Sequence, residues 1–305
     1  MNQKMISLLS GFGLLSAACI WGFAFVIVKN SLDYVPAMYM LAFRFSIAGV
    51  ALALVYSKKL HILTASYWKH GAMLGLYLFL AYAFQTVGCN YTTAGKNAFL
   101  TTVYVILVPL FSWPLRKRRP SWYVFVSAAM ALVGIGLLAL KNESGSFSIN
   151  FGDVLTLICG IFYAVHILFT AQYDETQDPV LLTVLQFIFA ALFSWITAPV
   201  MDGPVPFAAI KNSGVIFSML YLGIFSTLIA FVLQNVCLKY VNSSLAALFL
   251  SMESVFGVFF GAICLGEHMT FRMLAGCALM FAAIIFSETK FDFLPFIKRG
   301  GKKKC

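Results

Sequence analysis

Apolar residues run along this chain in ten long blocks divided by short polar stretches. The blocks lie at about 7–29, 36–57, 68–89, 96–115, 121–140, 151–172, 179–200, 213–238, 244–264 and 271–287. Each is close to the ~20 residues an α-helix needs to cross a hydrocarbon core. Within a block the apolar residues are continuous and do not alternate, which excludes the ten-residue strands of a membrane barrel. The pattern predicts an all-α polytopic membrane protein with ten transmembrane helices. Lys4 precedes the first block, but the apolar run continues through Val28 without a small-residue cleavage site, so it reads as a retained helix and not as a signal peptide.

The pattern is also duplicated. Ala81 to Leu140 can be laid on Ala230 to Thr289 without a gap, pairing Gln85 with Gln234, Tyr91 with Tyr240, Tyr104 with Glu253 and Ser121 with Thr270. A gapped match precedes it, with Pro36 and Phe45 facing Pro179 and Phe187. The sharpest polar break, KNESGSFSIN from Lys141 to Asn150, marks the junction. We therefore expect a first five-helix repeat over 1–145, a second over 146–288 and a basic tail over 289–305. Five is odd, so the second repeat enters the membrane in the opposite sense, giving two inverted five-helix repeats with a site expected between them.

Composition agrees with this placement: 61% of residues are hydrophobic and 10% charged. The net charge of +10 reads as topology and not as a nucleic-acid surface. With the N-terminus inside, fifteen Lys and Arg fall on inner segments, chiefly 116–119 and 290–304, against five on outer ones. The positive-inside rule then puts both termini in the cytoplasm of a multi-pass protein in the plasma (inner) membrane. Seven cysteines show no metal spacing, so buried free thiols are expected and no metal or cofactor. Pro36, Pro120 and Pro179 stand at helix starts, whereas Pro109 lies inside the fourth span and is expected to bend it.

Charges buried in hydrocarbon cost about 2.5–3.5 kcal/mol each on the insertion scale, and two qualify. Glu253 sits near the centre of the ninth span and Arg44 in the outer half of the second. Glu253 reads either as a ligand for a substrate amine or coupling proton, or as a fixed ion pair or hydrogen-bonded carboxyl. Arg44 reads as a substrate contact or as a brace. Gln85 and Gln234 are expected to converge near the midplane, each one helix from Tyr104 and Glu253; interhelical glue is the competing account. His166 and Trp21 complete the candidate substrate wall, with Gly22, Phe23 and Phe25 beside Trp21, while Trp68, Trp113 and Trp122 fit the interfacial belt. No GxSxG, HExxH or phosphate loop occurs, and the connections are too short for an ATPase domain. Catalysis is not expected; transport would draw on a gradient.

Three stretches resemble the EamA-type branch of the drug/metabolite transporter superfamily: WGFAFVIVK at 21–29 with Arg44-Phe45, YTTAGKNAFLTTVYVILVPL at 91–110, and SLAALFLSMESVFGVFFGAICLGE at 244–267. The resemblance implies a ten-helix carrier, driven by protons or another gradient, that exports small metabolites such as amino acids or derivatives by alternating access. Two departures stand out. The first half lacks the Leu265-Gly266-Glu267 turn, and the family's Glu-Pro of the ninth helix is Glu253-Ser254. Two alternatives stay open: a carrier of sugar phosphates, nucleotide sugars or other organic anions, and a membrane scaffold that transports nothing. The expected partners are a small-molecule substrate and the lipid bilayer, with proton coupling; the sequence sets no oligomeric state.

Overall fold

The computed structural model describes residues 3–116, 122–139, 150–174, 176–205, 212–237, 240–241, 243–268 and 270–289. The basic connection at 117–119, the junction at 141–149, Lys239, Cys305 and the tail from Lys290 onward lie outside the described residues.

Among the described residues the chain is helical throughout, with no strand. The helices are α1 Gln3–Ser31, α2 Ala37–Val55, α3 Ala65–Tyr91, α4 Ala94–Thr101, α5 Tyr104–Arg116, α6 Trp122–Ala139, α7 Phe151–Tyr173, α8 Pro179–Met201, α9 Ser213–Leu220, α10 Ala230–Cys237, α11 Ser243–Leu265 and α12 Phe271–Thr289. A π-helical segment, Tyr221–Ile229, joins α9 to α10. Seven stretches are long and apolar enough to cross a membrane: α1 to α3, α4 with α5, α7, α8, and α9 through α10. Among the described residues α6, α11 and α12 contribute shorter apolar stretches, Trp122–Leu137, Phe249–Leu265 and Phe271–Phe286, so seven of the ten expected spans meet the length there.

The fourth block also differs from expectation. Its helix breaks at Thr102 and Val103, ahead of Pro109, and resumes at Tyr104. Pro109 itself lies inside α5, so the break falls more than a turn ahead of the residue expected to cause it. Tight i→i+3 bonds carry the chain across, from Val103 N to Leu100 O at 3.3 Å and from Val105 N to Thr102 O at 3.0 Å.

Helix ends are closed by polar groups, several of them borrowed from other helices. Asp178 Oδ1 accepts from Val180 N and Leu181 N to start α8. Asn150 and Asp153 form a capping box on α7. Asp202, at the end of α8, accepts from Met38 N at 2.6 Å and so closes the start of α2, where the N-cap residue Pro36 has no side-chain acceptor to offer.

The extensive packing pairs join a helix of one half to a helix of the other: α1 with α11, α3 with α7 and α8, α2 with α8, and α6 with α12. Small residues let these helices approach, as membrane interfaces require where no hydrophobic gain separates protein from lipid. A Cβ on Gly22 would fall 2.4 Å from Phe256 Cβ, and one on Gly134 2.5 Å from Met280 Cγ. The largest core surrounds α2, whose Met38, Tyr39, Leu41 and Phe45 are buried with Leu78 and Phe187. Cys89, Cys159, Cys237 and Cys277 are buried free thiols, but Cys264 is exposed because its face of α11 looks away from the bundle.

Candidate functional site

Between the halves lies a cavity of about 310 Å³. Trp21, Arg44, Gln85, Tyr104, His166, Gln234 and Glu253, the seven side chains singled out from sequence, all stand on its wall. So do Tyr82, Asn97, Tyr163, Gln186, Ser226 and Phe231, which the sequence did not single out. Phe25 lines the cavity too, whereas Phe23 turns away to pack edge-on against Tyr221 and Phe260.

The two buried charges are not paired with each other or with any other ion among the described residues. Of the two static readings of Glu253, an ion pair or a hydrogen-bonded carboxyl, its contacts fit the second. The helices that carry them belong to different packing groups, α2 on α8 and the π segment, α11 on α1, α4 and α12. Arg44 Nε donates to Thr227 Oγ1 at 2.6 Å, and Nη2 donates to Ser226 Oγ at 2.9 Å and to Tyr82 OH at 3.3 Å. Its guanidinium carbon also lies 4.4 Å from the centroid of the Tyr82 ring. Glu253 accepts from Tyr104 OH at 3.4 Å.

The π segment builds the Arg44 side of the wall. Thr227 Oγ1 donates back five residues to Leu222 O at 2.7 Å, and Trp21 Nε1 donates to Ser226 O at 2.7 Å. Wider π turns leave carbonyls without their usual partners, and these two side chains supply replacements. No periodicity in the sequence announces this, because the signal is a hydroxyl five residues from a carbonyl and an indole on another helix.

Amides line the α3–α4–α7 side. Gln85 Nε2 donates to Thr101 Oγ1 at 3.1 Å, and Tyr163 OH donates to Gln85 Oε1 at 3.4 Å. Asn97 Nδ2 donates to Gln85 O and Thr156 Oγ1, while its Oδ1 is buried without a partner. His166 Nε2 and Gln186 Oε1 are 2.7 Å apart, so the histidine is held by an amide of α8.

The two ends of the cavity differ. At the α7–α8 end it reaches Asp174, which is solvent-exposed. Partial burial, then the neighbouring Asp178 carboxylate, push the Asp174 carboxyl up to about 6. Burial acts on Asp178 in the same direction, but the hydrogen bond from Lys59 and those from Val180 N and Leu181 N outweigh it and hold that carboxyl below its ordinary value. Beside them the His70 ring stacks on Tyr173 with centroids 3.9 Å apart.

At the other end, where the cavity reaches Val28 and Cys89, charged side chains converge on the α3–α4 junction. Lys29 Nζ, from α1, donates to Cys89 O at 2.6 Å and Thr92 O at 2.9 Å. Asp153, from α7, accepts from Thr92 Oγ1 at 2.6 Å and pairs with Lys96 Nζ at 2.7 Å. Glu267, just beyond α11, accepts from Ala94 N at 2.6 Å and Gly95 N at 3.0 Å, placing a carboxylate on the positive end of α4. None of these charges stands out in the sequence as part of a common cluster, and Glu267 appears there only as the end of a turn. Their partners are 57 to 173 positions distant, so no local pattern could have linked them.

No group of three or more potential metal ligands occurs among the described residues.

Comparison with known proteins gives this geometry a family. The EamA-like transporter family model matches twice, over residues 8–140 and 150–289. A transporter of Archaeoglobus fulgidus is 33% identical over 91% of this chain and 85% of its own. A Salmonella typhimurium protein named "Probable amino-acid metabolite efflux pump" is 24% identical over 90% of this chain and 93% of its own. A solved crystal structure shares the fold with a TM-score of 0.65 at 18% identity, covering 94% of this chain and 98% of that one. Two matches to the same family model across nearly the whole chain, a relative one-third identical over most of both lengths, and a bundle of helices long and apolar enough to cross a membrane place the chain in the EamA-like transporter family as a multi-pass membrane transporter.

Proposed function

We propose that the protein is a secondary active carrier that exports small polar metabolites, such as amino acids or their derivatives, across the plasma membrane by alternating access. The observation that carries this reading is a cavity walled by both halves that reaches the exposed Asp174 at the α7–α8 end; the Lys29, Asp153 and Glu267 contacts at the other end are taken here as its seal. With both termini in the cytoplasm, the accessible end faces inward and the sealed end outward.

Ten crossings in two inverted repeats, 1–145 and 146–288, suit the packing. Exchanging the halves turns α1 on α11 into α7 on α4 and α5, and turns α3 on α7 into α10 and the π segment on α1; all four pairs are in contact. The pairs α2 with α8 and α6 with α12 exchange with themselves. A two-fold relation of this kind lets one arrangement convert into its mirror across the membrane.

Glu253 is the coupling group in this reading, with gradient-driven export supplied by protons. The efflux name of the Salmonella relative agrees with the direction. A carrier of sugar phosphates would need several cations on the wall, and Arg44 is the sole Lys or Arg among its described lining residues. The test is counterflow in proteoliposomes, preloading a mixed amino-acid and metabolite panel and following entry of each labelled solute with and without a pH gradient. Saturable entry that responds to the gradient is the expected result. No entry for any solute, with reconstitution verified, removes the carrier reading and favours a scaffold.

A further inference from the structure

We propose that Arg44, seated on the π segment, is the anchor for a carboxylate, and that the carried solute is a small zwitterion whose ammonium lies toward Glu253 and Tyr104. The inference rests on the carrier reading above and adds the substrate's polarity and orientation.

Arg44 is 3% exposed and has hydroxyl and aromatic partners but no anionic one among the described residues. It does not snorkel, since a buried guanidinium in the middle of the α2 core reaches neither surface. Nε and Nη2 are occupied by Thr227, Ser226 and Tyr82, which leaves the two Nη1 hydrogens without a protein acceptor among the described residues. Arg44 stands on the cavity wall, so those donors are available to a solute. A guanidinium is always charged and its planar fork matches a carboxylate, for which it is the preferred partner.

The support around it is built in advance. Thr227 spends its own hydrogen on Leu222 O and can therefore only accept from Arg44, and Trp21 fixes the adjoining Ser226 carbonyl. A purely structural arginine would be satisfied by these contacts together with a carboxylate of the protein. Here the charge is held rigidly and left uncompensated.

Glu253 repeats the arrangement with the opposite sign. It is 7% exposed, has a phenol donor and no cation within ion-pairing distance among the described residues, and shares the cavity with Arg44. Trp21, Phe25 and Tyr104 add aromatic faces that favour an ammonium. Arg44 offers an unpaired cation, and Glu253 a carboxyl that can give up its proton when an ammonium arrives, so a zwitterion satisfies both. An amine without a carboxylate leaves Arg44 uncompensated, and a dianion meets Glu253 without a second cation. A volume of about 310 Å³ suits a small solute.

The test uses the full-length protein in proteoliposomes and a panel of the twenty common L-amino acids, each with its amide and its decarboxylated amine, read by counterflow and by thermal shift. At least one amino acid is expected to bind and enter, with its amide and amine weaker by about tenfold or more, because each leaves a buried charge unpaired. Arg44→Gln is expected to raise the half-saturating concentration about tenfold or more and Arg44→Lys to recover part of that loss. Since Arg44→Gln also removes helix contacts, Ser226→Ala provides a second variant that keeps the cation and loosens its seat; a several-fold weakening confined to carboxylate-bearing solutes is expected. Amides or amines carried as well as the amino acid, or a folded Arg44→Gln with wild-type affinity, overturns the proposal while leaving a carrier. Absence of transport for this panel and for a wider metabolite set overturns the carrier reading and this subsite together.

Discussion

Tyr104 and Glu253 stand 149 positions apart, at the same place in the two aligned halves, and the phenol of one reaches the carboxylate of the other at 3.4 Å. Glu253 therefore sits where the two halves meet. If the halves are related by the two-fold axis proposed above, such equivalent residues touch only near that axis, where a coupling group would serve both arrangements.

From this position, Glu253→Gln is expected to abolish accumulation driven by a pH gradient while solute exchange stays measurable. The amide keeps the Tyr104 contact and the volume but carries no titratable charge. Undiminished gradient-driven accumulation would remove Glu253 from the coupling role. Tyr104→Phe, which deletes the donor and keeps the ring, should leave coupling in place and change its rate by less.

The sealed end makes a second prediction. Lys96 and Asp153 side chains are 13% and 4% exposed, so their pair is shielded from water. Removing one partner of such a pair leaves a buried charge and costs about 3–5 kcal/mol. Asp153→Ala should therefore loosen the α3–α4 junction, and Cys89, fully buried beside it, is the reporter. In a variant retaining Cys89 as its sole cysteine, maleimide labelling from the sealed face should be slow, and should accelerate about tenfold or more when Asp153 is lost. Equal rates would mean that the seal does not depend on this pair.

Close packing of α1 on α11 makes a third. Gly22→Ala would force its Cβ to 2.4 Å from Phe256 Cβ and 2.9 Å from the backbone nitrogen of Gly257. Overpacking of this kind costs about 1–3 kcal/mol, and backbone cannot step aside as a side-chain tip can. Gly214→Ala, where only the Asn212 side chain comes near, is the control and should be neutral or mildly stabilising. Thermal unfolding in detergent compares the two; a Gly22→Ala protein as stable as the control would contradict the packing.

A fourth concerns pH. The Asp174 carboxyl, raised to about 6 by partial burial and by Asp178, binds its proton more tightly folded than unfolded. Its contribution to stability is therefore present below the ordinary carboxylate range and is lost as pH rises to about 6, above which it is flat. Wild type should lose thermal stability across that window by more than Asp174→Asn does. Parallel profiles for the two proteins would show that Asp174 does not titrate there.

How much of this was legible in the sequence follows from the range of each interaction. Spans were readable because, in lipid, each helix must satisfy its backbone within itself, so a continuous apolar run declares a crossing without reference to its neighbours. The start of α8 was readable because Asp178 and Pro179 act on the residues next to them. Glu253 and Arg44 stood out because a charge in an apolar run is conspicuous on its own. Pro109 did not signal the place of the break, which falls at Thr102–Val103 while Pro109 itself lies inside α5.

By itself, then, the sequence determined the helical class, the duplication, the family and the short set of polar residues able to matter. Tertiary structure alone decided that Arg44 meets Ser226 and Thr227 and not Glu253, that a π segment presents those hydroxyls, and that Lys29, Asp153 and Glu267 converge on the α3–α4 junction. The division is physical. Apolar periodicity and helix caps act over a few residues, whereas a buried charge takes whichever partner the packing of distant helices brings within about 3 Å of it.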